Sequence, residues 1–91
     1  MKIQLGQIYA SREVDALLSQ SPDFCTFVSK SLSRHKSGDW GDCCSEDKKA
    51  NDRALRGFDR LFSVYIRDNL KIWIITEYDR SVTTVLFPHE Y

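Results

Sequence analysis

Glu77, Tyr78, Asp79 and Arg80 stand together between two of the most apolar runs of the chain, in the stretch WIITEYDRSVTTVLF from Trp73 to Phe87. Two carboxylates beside a guanidinium are residue types that perform acid–base chemistry. Read that way, they define a small hydrolase or processing enzyme around Glu77, Asp79 and Arg80, which requires a water-filled pocket and a perturbed carboxylate. The same residues also fall where two strands must reverse, and a hairpin turn needs polar residues there. The turn reading is preferred. Arg80 is then placed to bridge Glu77 or Asp79, an exposed pair that contributes about 0–1 kcal/mol.

Other reactive side chains lack partners visible in the sequence. Nucleophilic catalysis needs a nucleophile, a base and a group that orients the base. His35 ends a helical pattern and His89 lies near the C-terminus, so both read as surface or capping residues. The cysteines are Cys25, Cys43 and Cys44. An odd count without a signal-peptide layout fits a reducing cytoplasm better than a disulfide framework. With His35 and His89 they do not reproduce zinc-ligand spacing, so no metal is expected. The segment GDWGD, Gly38 to Asp42, lacks the lysine and following helix of a phosphate-binding loop, and no cofactor is expected.

The bulk properties narrow the setting. A chain of 91 residues with 42% hydrophobic and 12% aromatic residues is expected to fold as one domain spanning 1–91. The formal net charge is zero, without the basic excess of a phosphate-gripping protein or the acidity of a DNA mimic. No segment is long enough and apolar enough to cross a bilayer, so no membrane association is expected.

The elements that must position these residues follow from periodicity. Lys2 to Ala10 alternates as a short strand, with Gly6 marking a bulge or a close approach. Ser11 caps a short helix with Val14, Leu17 and Leu18 on its buried stripe. Ser21-Pro22-Asp23 starts a second helix, in which Phe24, Phe27, Val28 and Leu32 recur at helical spacing before Gly38. SEDKKANDRALRG reads as a third helix with a thin stripe of Ala50, Ala54 and Leu55. Asn51 lies beside that stripe and, if buried, needs a hydrogen-bond partner. From Leu61 the period becomes two, giving strands Leu61–Ile66, Lys71–Glu77 and Val82–Phe87.

Turns centred on Asp68-Asn69 and Asp79-Arg80 fix the register. One face then carries Phe62, Val64, Ile66, Trp73, Ile75, Val82, Thr84 and Leu86. The other carries Leu61, Ser63, Tyr65, Ile72, Ile74, Thr76, Thr83, Val85 and Phe87. The first face is the more uniformly apolar and is expected to receive the helices. The second is left for the N-terminal segment, a partner or a second copy of the chain. The expected fold is α+β: an antiparallel sheet of three to four strands with about three helices packed on one face.

Two further groups invite a binding reading. Trp40, in the polar loop, reads first as a lid folded onto the core and second as an exposed anchor. Arg53, Arg56 and Arg60 recur near helical spacing and Lys30, Arg34 and Lys36 precede them. Interleaved Asp52 and Asp59 favour a solvated, self-paired face for the arginine row.

GDWGD (38–42), ED (46–47), ND (51–52), RLFSVY (60–65), KIWIITEYDRSVTT (71–84) and the ending LFPHEY (86–91) resemble a widespread family of small bacterial proteins. Such proteins occur on plasmids, conjugative elements and prophages, and relatives sometimes carry restriction-modification labels. This chain is too short for a methyltransferase subunit and shows no cofactor-binding βα motif. The resemblance implies a cytoplasmic protein of a mobile genetic element and brings no catalytic residues. His89 departs from the family's usual Glu-Glu-Tyr ending, which puts any role for an acidic tail in doubt.

The expected function is therefore a non-enzymatic protein–protein interaction, in the form of an inhibitor of a host defence complex of the anti-CRISPR or anti-restriction type. Its expected partner-binding residues are Asp39, Trp40, Asp42, Tyr65, Glu77, Asp79 and Arg80, with Ile72 and Phe87 beside Tyr65. The alternative is a nucleic-acid-associated regulator of mobile-element transfer or expression, using Lys30, Arg34, Lys36, Arg53, Arg56 and Arg60.

Overall fold

A computed structural model describes residues 3–57 and 59–91. The chain runs β1 (Gln7–Ala10), α1 (Arg12–Leu18), α2 (Pro22–Lys36), α3 (Ser45–Gly57), β2 (Leu61–Arg67), β3 (Leu70–Thr76) and β4 (Val82–Leu86), then a 3-10 turn at Pro88–Glu90. The strands form one four-stranded sheet in the order β1-β4-β3-β2. The hairpin registers are those the turns require: Val64 faces Trp73, Phe62 faces Ile75, and Ile75 faces Thr84. The sheet is mixed rather than purely antiparallel, because β1 joins β4 in parallel, Gln7 beside Val82 and Ala10 beside Val85. The helices between β1 and β4 supply the long crossover that a parallel pair needs.

Local chemistry explains the helix boundaries. Ser11 Oγ accepts from the Val14 N–H and Ser21 Oγ from the Phe24 N–H, satisfying orphan donors at two helix starts. Pro22 occupies the first turn of α2, and Gly38, at φ 86°, turns the chain just beyond its C-cap. β1 begins later than alternation predicts. Gly6 sits at φ 64°, and a Cβ there would run into the Ser81 carbonyl, so Ile3 and Leu5 are buried while Gln7 to Tyr9 are exposed. The expected start at Lys2 lies outside the described residues.

The helix-bearing face is the opposite of the one expected. Val14 of α1 and Phe24, Phe27 and Val28 of α2 pack on Tyr65, Ile72, Ile74 and Val85. That face also buries Ser63, Thr76 and Thr83, whose hydroxyls had made it look the poorer core. A second cluster, Ile3, Leu5, Trp40, Cys43, Ala54, Leu61 and Val64, joins α3 and the Gly38–Asp42 loop to β2.

The other face of the sheet carries a ladder of aromatic rings. Phe62 meets Trp73 edge-on at 5.0 Å and Trp73 meets Tyr91 at 5.7 Å between centroids. The C-terminal turn is latched in place by Glu90, whose carboxylate accepts from Ser11 Oγ, the Glu13 N–H and the Phe87 N–H.

Candidate functional site

The densest buried polar chemistry is a chain of side chains that links α2 to three strands. His35 Nδ1 lies 2.6 Å from Ser63 Oγ, and Nε2 lies 2.9 Å from Thr76 Oγ1. Thr76 Oγ1 is 2.7 Å from Thr83 Oγ1, which donates to the Leu5 carbonyl at 2.7 Å. A carbonyl only accepts, so the direction of every bond is fixed from that end. Thr83 donates to Leu5, Thr76 to Thr83, and His35 Nε2–H to Thr76. Nδ1 is then the acceptor for the Ser63 hydroxyl. The imidazole is the neutral Nε2–H tautomer. Burial first, and the Arg80 charge second, lower its pKa from the ordinary 6.5 to about 4.

Ser63, His35 and Thr76 have the separations of a nucleophile, a base and an orienting group. All three are sealed from solvent, and the Trp40 ring stands edge-on to His35 at 5.8 Å. In this arrangement the chain of hydroxyls satisfies buried groups and ties α2 to the sheet. Sequence reasoning placed His35 on the surface. The signal was present in the stripe Val28, Ser31, His35, which continues the buried side of α2.

The expected contact residues divide into structural and exposed groups. The Arg80 guanidinium bridges neither the Glu77 nor the Asp79 carboxylate. It donates from Nη1 to the carbonyls of Asp59 (2.6 Å), Glu77 (3.2 Å) and Tyr78 (3.2 Å), and from Nη2 to that of Ala54 (2.9 Å). It thereby ties the end of α3 to the β3–β4 turn. Asp79 accepts from the Ser81 N–H and hydroxyl, which hold its carboxyl below the usual range. Glu77 is half-buried, and Tyr78 is the exposed ring at the tip.

Asp39, Trp40 and Asp42 build the outer edge of β2. Trp40 is 5% exposed and its indole N–H donates to Asp52 at 3.0 Å, so it is the lid, not a projecting anchor. The Val64 N–H donates to the Trp40 carbonyl, and the Asp42 N–H to the Val64 carbonyl. The Asp42 carboxylate takes the Ile66 N–H at 3.2 Å. Asn51 accepts from the Phe62 N–H at 3.0 Å and donates to its carbonyl at 2.6 Å, as a neighbouring strand would. Asp39 holds Arg34 at 2.7 Å, which keeps the Asp39 carboxyl below its usual range.

Tyr65 is a correction to the expected contact face. It is fully buried with Ile72 beneath the helices, its hydroxyl donating to the Asp39 carbonyl at 2.6 Å, and burial pushes the phenol pKa up. Phe87 packs half-buried against the same core. Neither a partner nor a second copy can dock on that face while α1 and α2 cover it.

The basic residues of the nucleic-acid reading are spread over two helices and the approach to β2. Lys30, Arg34 and Lys36 lie on α2, Arg53 and Arg56 on α3, and Arg60 precedes β2. Arg34 is engaged by Asp39 and lies 4.9 Å over the Tyr65 ring. Arg60 donates to the Tyr91 hydroxyl at 2.8 Å. All three cysteines are free thiols, Cys43 buried, Cys25 and Cys44 exposed. His89 Nε2 lies 2.9 Å from a Glu13 carboxylate oxygen, so the departure at the tail makes its own contact with α1.

What remains exposed and apolar is concentrated on the strands and at the turns. Ile66 is 49% exposed and Tyr91 closes the ladder at the surface, with Lys71 beside Ile66 in the register. Ile8 and Tyr9 are exposed on β1. Among the described residues no helix is long and apolar enough to cross a membrane. Compared with protein-family models, with curated proteins and with solved structures, the chain gives no match.

Proposed function

We propose that this protein is a non-enzymatic interaction module of a bacterial mobile element that acts by binding a protein, with a host defence complex as the target class. The observation that carries the reading is the contrast between its two kinds of surface chemistry. The serine–histidine pair is sealed inside, whereas the ladder face exposes Ile66 and Tyr91, with half-buried Trp73 against Tyr91 and with Arg60 and Lys71 at its flanks. Aromatic and arginine side chains around an apolar centre are the composition of interface hot spots. The target class rests on the resemblance to proteins of plasmids and prophages.

The test is a tagged pull-down from bacterial lysate at moderate salt, comparing wild type with Ile66→Asp and Tyr91→Ala. The expected result is enrichment of one defence-complex subunit by wild type and its loss in the variants, with unchanged melting temperatures. Capture unaffected by both variants overturns the proposed surface, and no captured subunit overturns the target class.

The same face supports a second reading. In it, rings flanked by Arg60 and Lys71 would stack single-stranded bases beside phosphate-binding cations. That reading predicts oligonucleotide binding that falls steeply with salt, and fails if none is seen at low salt.

A further inference from the structure

The two edges of the sheet are treated differently. Along β2 every outward-facing residue is occupied: Phe62 by Asn51, Val64 by Trp40 and Asp42, Ile66 by the Asp42 carboxylate. Along β1 the Gln7 N–H donates to Ser81 and the Ser11 N–H to Val85, so residues 7, 9 and 11 face β4. By strand alternation the N–H and C=O of Ile8 and Ala10 point away from the sheet. Gln7–Ala10 contains no proline, lysine or bulge, the usual protections of an open edge. Its side chains Ile8 and Tyr9 are 51% and 55% exposed.

We infer that β1 is a homodimer interface, pairing antiparallel with β1 of a second copy about a two-fold axis at Tyr9. The outward-facing groups select this register. Ile8 of each copy faces Ala10 of the other, and both pairs exchange both backbone hydrogen bonds. Tyr9 faces Tyr9 in the intervening non-hydrogen-bonded position, where side chains approach most closely. Tyr9 shares the ladder face with Thr84, its register partner, so this pair joins two ladder faces into one. On the other face, the large Ile8 meets the small Ala10. The strand is thus complementary to itself in size, in hydrogen bonding and by isologous symmetry. The result doubles the four-stranded sheet into one continuous sheet. A strand of four residues makes a small interface, so association is expected in the micromolar to millimolar range.

Sedimentation of wild type from about 10 μM to 1 mM is the first measurement, with a monomer–dimer equilibrium as the expected result. Tyr9→Cys is then placed in a Cys25→Ser, Cys44→Ser background and mildly oxidised. Facing Cα atoms in this position lie about 4.5 Å apart, within the range a disulfide spans. A linked dimer is expected at position 9. Gln7→Cys, which would face Ser11 of the other copy, should stay unlinked. Ile8→Pro removes an outward N–H that no bond among the described residues uses and should sediment as a folded monomer. A wild type monomeric throughout overturns self-pairing and leaves the edge to an extended strand of another protein. Equal linking at positions 7 and 9, or a dimer that survives Ile8→Pro, overturns the proposed register. The protein-capture test on Ile66 and Tyr91 does not depend on these outcomes.

Discussion

The imidazole of His35 accepts the Ser63 hydroxyl at Nδ1, 2.6 Å away, inside a core that admits no solvent to either residue. A proton added to Nδ1 would leave that hydroxyl without its acceptor, and would place a charge in the core facing the positive field of Arg80. Folding therefore selects the neutral ring.

The pH dependence follows with a definite sign. The His35 pKa is about 4 when folded, against an ordinary 6.5. Between those values the unfolded chain binds a proton that the folded chain refuses, so stability rises with pH. The contribution is complete above about pH 6.5, is lost as pH falls toward 4, and changes no further below. The full span is worth about 3 kcal/mol. Urea unfolding at pH 7 and at pH 4.5 should differ by most of that amount, and His35→Gln should flatten the profile in this window. An unchanged profile in that variant would contradict the assignment.

Arg80 connects the turn to this core electrostatically. Arg80→Gln removes the second cause of the lowered His35 pKa, so the ring should titrate at a higher pH, read by NMR of its carbon-bound protons. The same change weakens the ties to Asp59, Glu77, Tyr78 and Ala54. Arg80→Lys keeps the charge and cannot reproduce the planar fork, so it should lower stability by about 1–2 kcal/mol with little effect on His35.

Most of the fold is legible in the sequence because its signals are local. Ser21-Pro22 starts α2, Asp68-Asn69 and Asp79-Arg80 fix both hairpin registers, and α3 begins and ends where its composition predicts. The choice of sheet face is not local. Ser63, Thr76 and Thr83 look like solvent-facing residues until His35, distant in sequence, is seen to satisfy them. Likewise Tyr65 reads as exposed only until α2 and Asp39 are placed over it. Gly6 was legible as a bulge or a close approach, but neither Ser81 as the segment it approaches nor the parallel attachment of β1 was, because both depend on a strand distant in sequence. Trp40 and Asn51 were legible as residues needing cover or a partner, but β2 as the element that supplies it was not.

Asn51 substitutes for a neighbouring strand, and its replacement should reveal that. Asn51→Leu removes both bonds to Phe62 and should destabilise by about 1–3 kcal/mol. Asn51→Asp keeps an acceptor for the Phe62 N–H and sets a carboxylate against the Phe62 carbonyl. Hydrogen exchange should therefore speed at the Phe62 amide in the leucine variant more than in the aspartate variant, when both are compared at matched global stability.

Gly38 and Gly41 give a paired test of how the loop meets the sheet. Both have positive φ, 86° and 73°, so alanine is strained at either. They differ in surroundings. A Cβ at Gly38 meets nothing within 4 Å, whereas at Gly41 it would strike the Val64 carbonyl and come within 2.7 Å of the Tyr65 ring. Gly38→Ala should therefore cost only the backbone term of about 1–2 kcal/mol. Gly41→Ala must also push the loop off β2, breaking the bonds between Val64, Trp40 and Asp42 and loosening the lid over His35. Its loss should exceed that of Gly38→Ala by at least about 1–3 kcal/mol, with a blue-to-red change in Trp40 emission as the indole meets water. Equal losses in the two variants would mean that the loop yields freely, and that Trp40 does not depend on the Gly41 contact for its place over the core.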